Sequence, residues 1–207
     1  MVKALKVDAI LTERWSRFLG QGISLDFSPV DPEAFRQKID DLDEADRKTV
    51  LGFQSPSRQA EWICGRLALQ SVRQKLGGDP HVTHLTTLSH SRSWVLAVGA
   101  LAKNSAALQR IGVDFELRDR KLRTGMESRW VSALESNLGL LPIDLWVIKE
   151  ACYKANPRSR DTVVTKYEVL LYDPKTGYGE AQEPSQKLTI RFEWVHEGGW
   201  SFALARS

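Results

Sequence analysis

Two carboxylates, Asp114 and Glu116, stand two residues apart in a run where Ile111, Val113, Phe115 and Leu117 alternate with Gly112 and the acids. Alternation of period two predicts a half-buried strand over 110–117, with both acids on one face about 6.6 Å apart along the backbone. Carboxylates so placed repel one another unless a cation or base lies between them. The same pattern also suits a sheet edge whose acidic face meets solvent or the arginines that follow. A third carboxylate comes from DLWVIKEACYKA, residues 144–155, where Glu150 and Lys154 share one side of a predicted helix. Glu four residues ahead of Lys is also an ordinary stabilising surface pair. Here, however, Leu145, Ile148 and Cys152 form a core stripe, and Trp146 and Tyr153 leave little of the helix plainly polar. Charges beside so much apolar surface need partners. Asp114, Glu116 and Glu150 together are hard oxygen donors suited to magnesium, which keeps waters and substrate phosphate in its remaining positions. Lys154 beside them is a point charge for phosphate. Such a set suits reaction at phosphorus, with metal and lysine neutralising phosphoryl oxygens while an alcohol attacks. Ser89-His90-Ser91 can donate to a pyrophosphate oxygen or bond the backbone of its own turn. His81 and His84 are spaced like weak metal ligands and, without a partner cluster, read as surface residues.

The elements that must position these groups follow from periodicity and breakers. A short N-terminal strand candidate precedes loop and helix over 29–51. An amphipathic helix is predicted over 58–76, with Trp62, Leu69, Val72 and Leu76 on its apolar stripe. Gly77-Gly78-Asp79-Pro80 ends it. A strand over 84–88, a polar turn over 89–93 and a strand over 94–101 come next, and a loop over 103–108 leads to the acidic strand. After the helix over 144–155, strands are predicted over 162–172, 187–196 and 200–206, with turns over 177–184 and 197–199. Helix, strand and hairpin strand occur in this order in both 58–101 and 144–205. The fold class expected is therefore α+β, with two related lobes and a cleft between them.

Bulk properties narrow the class. The 207 residues are 42% hydrophobic and 27% charged, the balance of a globular chain rather than a disordered or fibrous one. Apolar stretches such as 94–102 are too short to span a membrane, and the N-terminal MVKALKVDAILTERW meets charges too early for a signal peptide. A cytoplasmic protein is expected. Cys64 and Cys152 lie far apart with no Cys-x-x-Cys pair, so they read as buried, reduced thiols. The net charge of +3 is mildly basic and uneven. DDLDEAD at 40–46 is acidic, whereas 118–129 carries Arg118, Arg120, Lys121, Arg123 and Arg129. No Gly-x-x-x-x-Gly-Lys-Ser/Thr loop is present, and no repeat of aromatic and basic residues points to nucleic acid.

Three segments stand together in an informative order: Leu88-Ser-His-Ser91 before Trp94-Val95, Ile111-Gly-Val-Asp-Phe-Glu116, and Trp146-Val-Ile-Lys-Glu-Ala-Cys-Tyr-Lys-Ala155. The chain resembles the 4′-phosphopantetheinyl transferase superfamily, in its pseudo-dimeric, surfactin-synthetase-activating type. Gly-x-Asp-x-Glu followed by Trp-x-x-Lys-Glu-x-x-x-Lys-Ala carries the resemblance, which covers residues 58–155. The helix with Gly65-Arg66 is similar to the family's first-lobe helix. The resemblance implies two similar lobes related by pseudo-twofold symmetry, each a small, mostly antiparallel sheet packed on a long helix. The N-terminal lobe would be 1–105 and the C-terminal lobe, carrying the metal ligands, 106–207, with coenzyme A in the cleft. It implies magnesium on Asp114, Glu116 and Glu150, and catalytic roles for Glu150 and Lys154. Glu150 would help deprotonate the acceptor serine, directly or through a metal-bound water. Ser89, His90 and Lys154 would contact the phosphates of coenzyme A, with Arg58 and Arg66 on its 3′-phosphate.

The implied reaction moves 4′-phosphopantetheine from coenzyme A to a serine of an apo acyl or peptidyl carrier protein, and releases 3′,5′-adenosine diphosphate. A monomer without nucleic-acid or membrane partners is expected. The family's Gly-Lys-Pro tripeptide is replaced by Gly77-Gly78-Asp79-Pro80, which has no lysine. The basic segment 118–129 is a candidate dock for an acidic carrier, or a solvated basic face. Two other readings use the same residues: another magnesium-dependent phosphotransferase acting on a nucleotide, and a non-catalytic module binding carrier protein or nucleic acid.

Overall fold

Val7, Leu11, Trp15 and Leu19 recur every fourth residue, the spacing that lines one face of a helix. In the computed structural model, which describes residues 2–33, 37–77, 84–101, 109–122 and 129–207, they form the buried stripe of an 18-residue helix, α1 (Val2–Leu19). This corrects the expectation of only a short strand at the N-terminus. Of the charges that interrupt the apolar residues, Lys6, Glu13 and Arg17 lie exposed on the opposite side, while Asp8 and Arg14 are half-buried. The strand of this region, β1 (Ile23–Pro29), follows a left-handed Gly20.

Helix α2 (Glu44–Leu51) is capped by the Asp43 carboxylate, which accepts from the amide of Asp46 at 2.8 Å. Helix α3 (Pro56–Lys75) is the expected amphipathic helix, begun by the Ser55 cap and a proline in its first turn. β2 (His84–Ser91) and β3 (Trp94–Leu101) form a hairpin, and β1 pairs with the other edge of β3, so the first sheet runs β1-β3-β2. Ser89, His90 and Ser91 are not in a turn. They complete β2 opposite Leu96, Val95 and Trp94, and the turn is only Arg92-Ser93, with Arg92 at φ 52°. Two-residue hairpin turns call for positive φ. The serines read as turn because they are polar, but in β2 they face acids instead of a core.

The second sheet is also antiparallel, in the order β4-β8-β7-β6-β5, from β4 (Ile111–Leu117), β5 (Glu168–Tyr172), β6 (Tyr178–Glu183), β7 (Leu188–Glu197) and β8 (Trp200–Arg206). Helix α4 (Pro142–Ala155) covers it. The strand expected over 162–172 begins only at Glu168, after two short 3-10 turns. The turn expected over 177–184 contains β6. Its inward residues are Gly179, Ala181 and Glu183, too small or too polar to show as an apolar alternation. The buried Glu183 carboxylate is met by Ser185, the amide of Gln186 and Thr162. The fold is thus α+β, with four α-helices and two antiparallel sheets among the described residues. No helix among them is long and apolar enough to cross a membrane.

One core joins α1 to both sheets: Leu11 and Trp15 pack with Phe27 and Leu96 of the first and with Phe115 and Phe202 of the second. A second core lies under α4, including Ile148, Cys152 and Phe192. Both cysteines are free and buried, as expected, and burial pushes the Cys64 thiol up to about 12 and that of Cys152 higher still.

Helix α4 crosses β4 at Gly112, where a Cβ would stand 2.1 Å from the Ala151 carbonyl oxygen and 2.5 Å from the Ala155 nitrogen. Only glycine permits that approach, and it brings the acids of β4 near Glu150 and Lys154. Gly112→Ala is expected to lose about 1–3 kcal/mol through overpacking, read as a Tm lowered by about 2–12 °C. Unchanged melting would mean that strand and helix are not held this closely.

Candidate functional site

β2 and β4 are edge strands of different sheets and lie side by side, and among the described residues no backbone ladder joins them. Side chains replace the ladder. The Val113 amide donates to Thr87 Oγ1 at 3.1 Å, and the Val113 carbonyl accepts from Lys154 Nζ at 3.0 Å. Ser89 and Ser91 of β2 donate to Asp114 and Glu116 of β4, so hydroxyls at i, i+2 meet carboxylates at i, i+2. Period two on both strands makes this match possible.

Lys154 reaches across from α4. Its Nζ donates to Asp114 Oδ1 at 2.8 Å, Ser89 Oγ at 3.1 Å and the Val113 carbonyl, which uses all three ammonium protons. Glu116 accepts from Ser91 on one oxygen and from the guanidinium of Arg120 on the other. Asp114 and Glu116 are each only 7% exposed. Burial raises the Glu116 pKa, opposed by Ser91 and Arg120. Burial likewise raises that of Glu150, and the neighbouring Asp114 and Glu116 push it the same way against Lys154. Among the described residues no hydrogen bond or ion pair reaches the Glu150 carboxylate.

Asp114, Glu116, Glu150 and Lys154 therefore share one electrostatic neighbourhood. As they stand, no three His, Cys, Asp or Glu side chains among the described residues are gathered as a metal-holding group. The acids of β4 hold Lys154 and Arg120 instead. The donor chemistry nevertheless suits a hard divalent cation: three carboxylates and two cationic side chains share the cluster, and among the described residues the Glu150 carboxylate has no hydrogen-bond or ion-pair partner.

A second cluster lies between α3 and the end of β2, around a cavity of about 190 Å³ lined by Arg58, Glu61, Trp62, Arg66 and His90 among others. Arg58 Nη1 donates to His90 Nε2 at 2.8 Å and lies 3.2 Å from Glu61. Partial burial lowers the His90 pKa and favours the neutral ring that can accept this bond, with Glu61 opposing and Arg58 assisting. Arg66 stacks over Trp62, 4.4 Å from the ring centroid, and pairs with Asp46 of the acidic run at 3.0 Å. The structure thus brings Arg58, Arg66 and His90 to one cavity. Glu61 and Trp62 were missed as site residues, although they lie three and four residues after Arg58 on one helix. Another cavity, of about 480 Å³, opens beside Lys154 between the sheets, with Thr86, Thr87, Arg110, Tyr153 and Ser159 in its walls.

Other sequence candidates fall differently. His81 and Arg123 lie outside the described residues, as do Gly78, Asp79 and Pro80. Arg118 is no free basic group: it binds the fully buried Asp144 through two nitrogens, at 3.0 and 2.6 Å, and lies over Trp194. Arg120 is engaged by Glu116, while Lys121 and Arg129 are exposed. Of the basic residues expected to dock a carrier, Arg118 and Arg120 thus pair with acids of the chain itself. Lys149, next to Glu150 in the sequence, is 1% exposed and bonds Glu135 at 2.9 Å and the Trp130 carbonyl at 2.6 Å.

The sequence matches no family model and no curated protein.

Proposed function

We propose that the chain is a magnesium-dependent transferase that moves the 4′-phosphopantetheine group of coenzyme A to a serine of an apo acyl or peptidyl carrier protein. The observation that carries this reading is the shared neighbourhood of Asp114 and Glu116 from β4 with Glu150 and Lys154 from α4, facing Ser89 of β2. In this reading the sheets belong to two lobes, 1–105 and 106–207, related by a pseudo-twofold axis between β2 and β4. The protein works as a cytoplasmic monomer.

Magnesium held by Asp114, Glu116 and Glu150 supplies charge neutralisation at the phosphoryl oxygens. The chain's own groups do the remainder. Arg58, Arg66 and His90 hold the 3′-phosphate and pyrophosphate end at the smaller cavity, and Ser89 donates to the pyrophosphate. The 480 Å³ cavity beside Lys154 receives the pantetheine arm, whose amides find hydroxyls on Thr86, Thr87 and Ser159. The serine oxygen forms a bond to the β-phosphorus as the bond to the leaving phosphate oxygen breaks. The serine proton passes towards Glu150, directly or through a water. Lys154 offsets the charge on the phosphoryl oxygens.

The test is incubation with coenzyme A, magnesium and a panel of apo carriers, read by intact mass. One carrier is expected to gain a phosphopantetheine group, and Glu150→Ala to abolish the gain. If no carrier gains mass, and coenzyme A raises Tm no more than ATP does, the reading fails.

A further inference from the structure

We infer that Arg120 is a cationic stand-in at the acid cluster, which holds Glu116 until a divalent cation displaces it. This rests on the reading of Asp114, Glu116 and Glu150 as a cation site. Strand β4 ends at Leu117, and the Arg120 amide bonds the Leu117 carbonyl at 3.0 Å. That tight turn folds the guanidinium back onto Glu116, four residues earlier. The other Glu116 oxygen is held by Ser91 across the sheet boundary. An incoming ion therefore meets a carboxylate with one oxygen anchored and the other occupied by a cation.

The two cations of the cluster differ in freedom. Lys154 is held by three acceptors, one of them backbone, and its side chain is 27% exposed. Among the described residues Arg120 makes one ion pair, to Glu116, with a side chain 45% exposed, so it can swing outward without opening the core. Arg118 cannot take its place, since the buried Asp144 holds it. Breaking the Arg120–Glu116 pair is then a cost that every divalent ion meets on entry. Ser91 meanwhile keeps the freed carboxylate aimed at the cluster, as a positioning residue.

The test measures Mn²⁺ binding to the full chain without coenzyme A, by electron paramagnetic resonance, in wild type, Arg120→Gln, Arg120→Lys, Lys121→Gln and Asp114→Asn. Arg120→Gln is expected to bind Mn²⁺ about three- to tenfold more tightly. Lys121→Gln removes an equal, exposed charge next door and should change affinity less than about twofold. Arg120→Lys should fall between wild type and Arg120→Gln. If Arg120→Gln binds no more tightly than Lys121→Gln, the stand-in is overturned while the cation site stands. If no variant binds Mn²⁺ in a manner that Asp114→Asn weakens, the cation site itself is overturned, and Arg120 with it.

Discussion

Lys154→Ala is expected to lower single-turnover transfer, at saturating coenzyme A and carrier, by about 10²–10³-fold, the loss typical of one preorganised charge at a reacting oxygen. The side chain is more than a nearby cation. Three acceptors from two different sheets fix its Nζ, so its charge is placed before substrate arrives. Such placement costs no reorganisation during reaction, which is why it favours the transition state. Lys154→Arg should recover less than about tenfold of the loss, because a planar fork cannot aim three donors at acceptors arranged around one nitrogen. The Val113 carbonyl also loses its partner in Lys154→Ala, so a small fall in Tm is expected. Turnover within about threefold of wild type would make Lys154 a strut between β2 and β4 and nothing more.

The largest loss of stability is expected at the lysine five residues earlier. Lys149 and Glu135 form an ion pair that is 1% and 0% exposed, and Glu135 also accepts the amides of Ser132 and Val169. One carboxylate thus ties α4, the segment before it and the start of β5. Lys149→Met leaves that carboxylate buried without its counter-ion, at a cost of about 3–5 kcal/mol. For a chain of this length the Tm should fall by about 6–20 °C. Adding Glu135→Gln should recover part of the loss, since no buried charge is then left alone. Melting of the single variant within about 2 °C of wild type would remove this strut from the account of α4.

The contrast between these lysines marks what local reading can reach. Residues five apart on a helix point about 140° away from each other, so the pattern of α4 says that Lys149 and Lys154 face different ways. It does not say which face meets the sheet. Only the packing of α4 on β4 at Gly112 makes one lysine a buried strut and the other the cation of the site. Glu150 was legible for the same local reason, as the residue four before Lys154. Arg120 was read as part of a basic surface because its charge was visible and its bend back onto Glu116 was not.

Helix α1 is hard to read because charges interrupt its apolar residues; Lys6, Glu13 and Arg17 lie on its outer side, whereas Asp8 and Arg14 are half-buried. β6 was missed because its inward positions are glycine, alanine and a satisfied glutamate. Ser89 and Ser91 read as turn from the sequence, since hydroxyls in a strand make sense only beside their carboxylate partners.

By itself, the order of residues determined which side chains share a face of one strand or one helix: Asp114 with Glu116, Glu150 with Lys154, and the alternation that makes 111–117 a strand. Those relations depend on backbone periods of 2.0 and 3.6 residues, which operate over a few positions. The tertiary structure alone decided that β2 and β4 meet edge to edge without a ladder, that serines oppose the acids, and that Arg120 rather than open water faces Glu116. Those relations join residues far apart in the chain, or hang on a turn and on which edges the shared core brings together, and no local period encodes them.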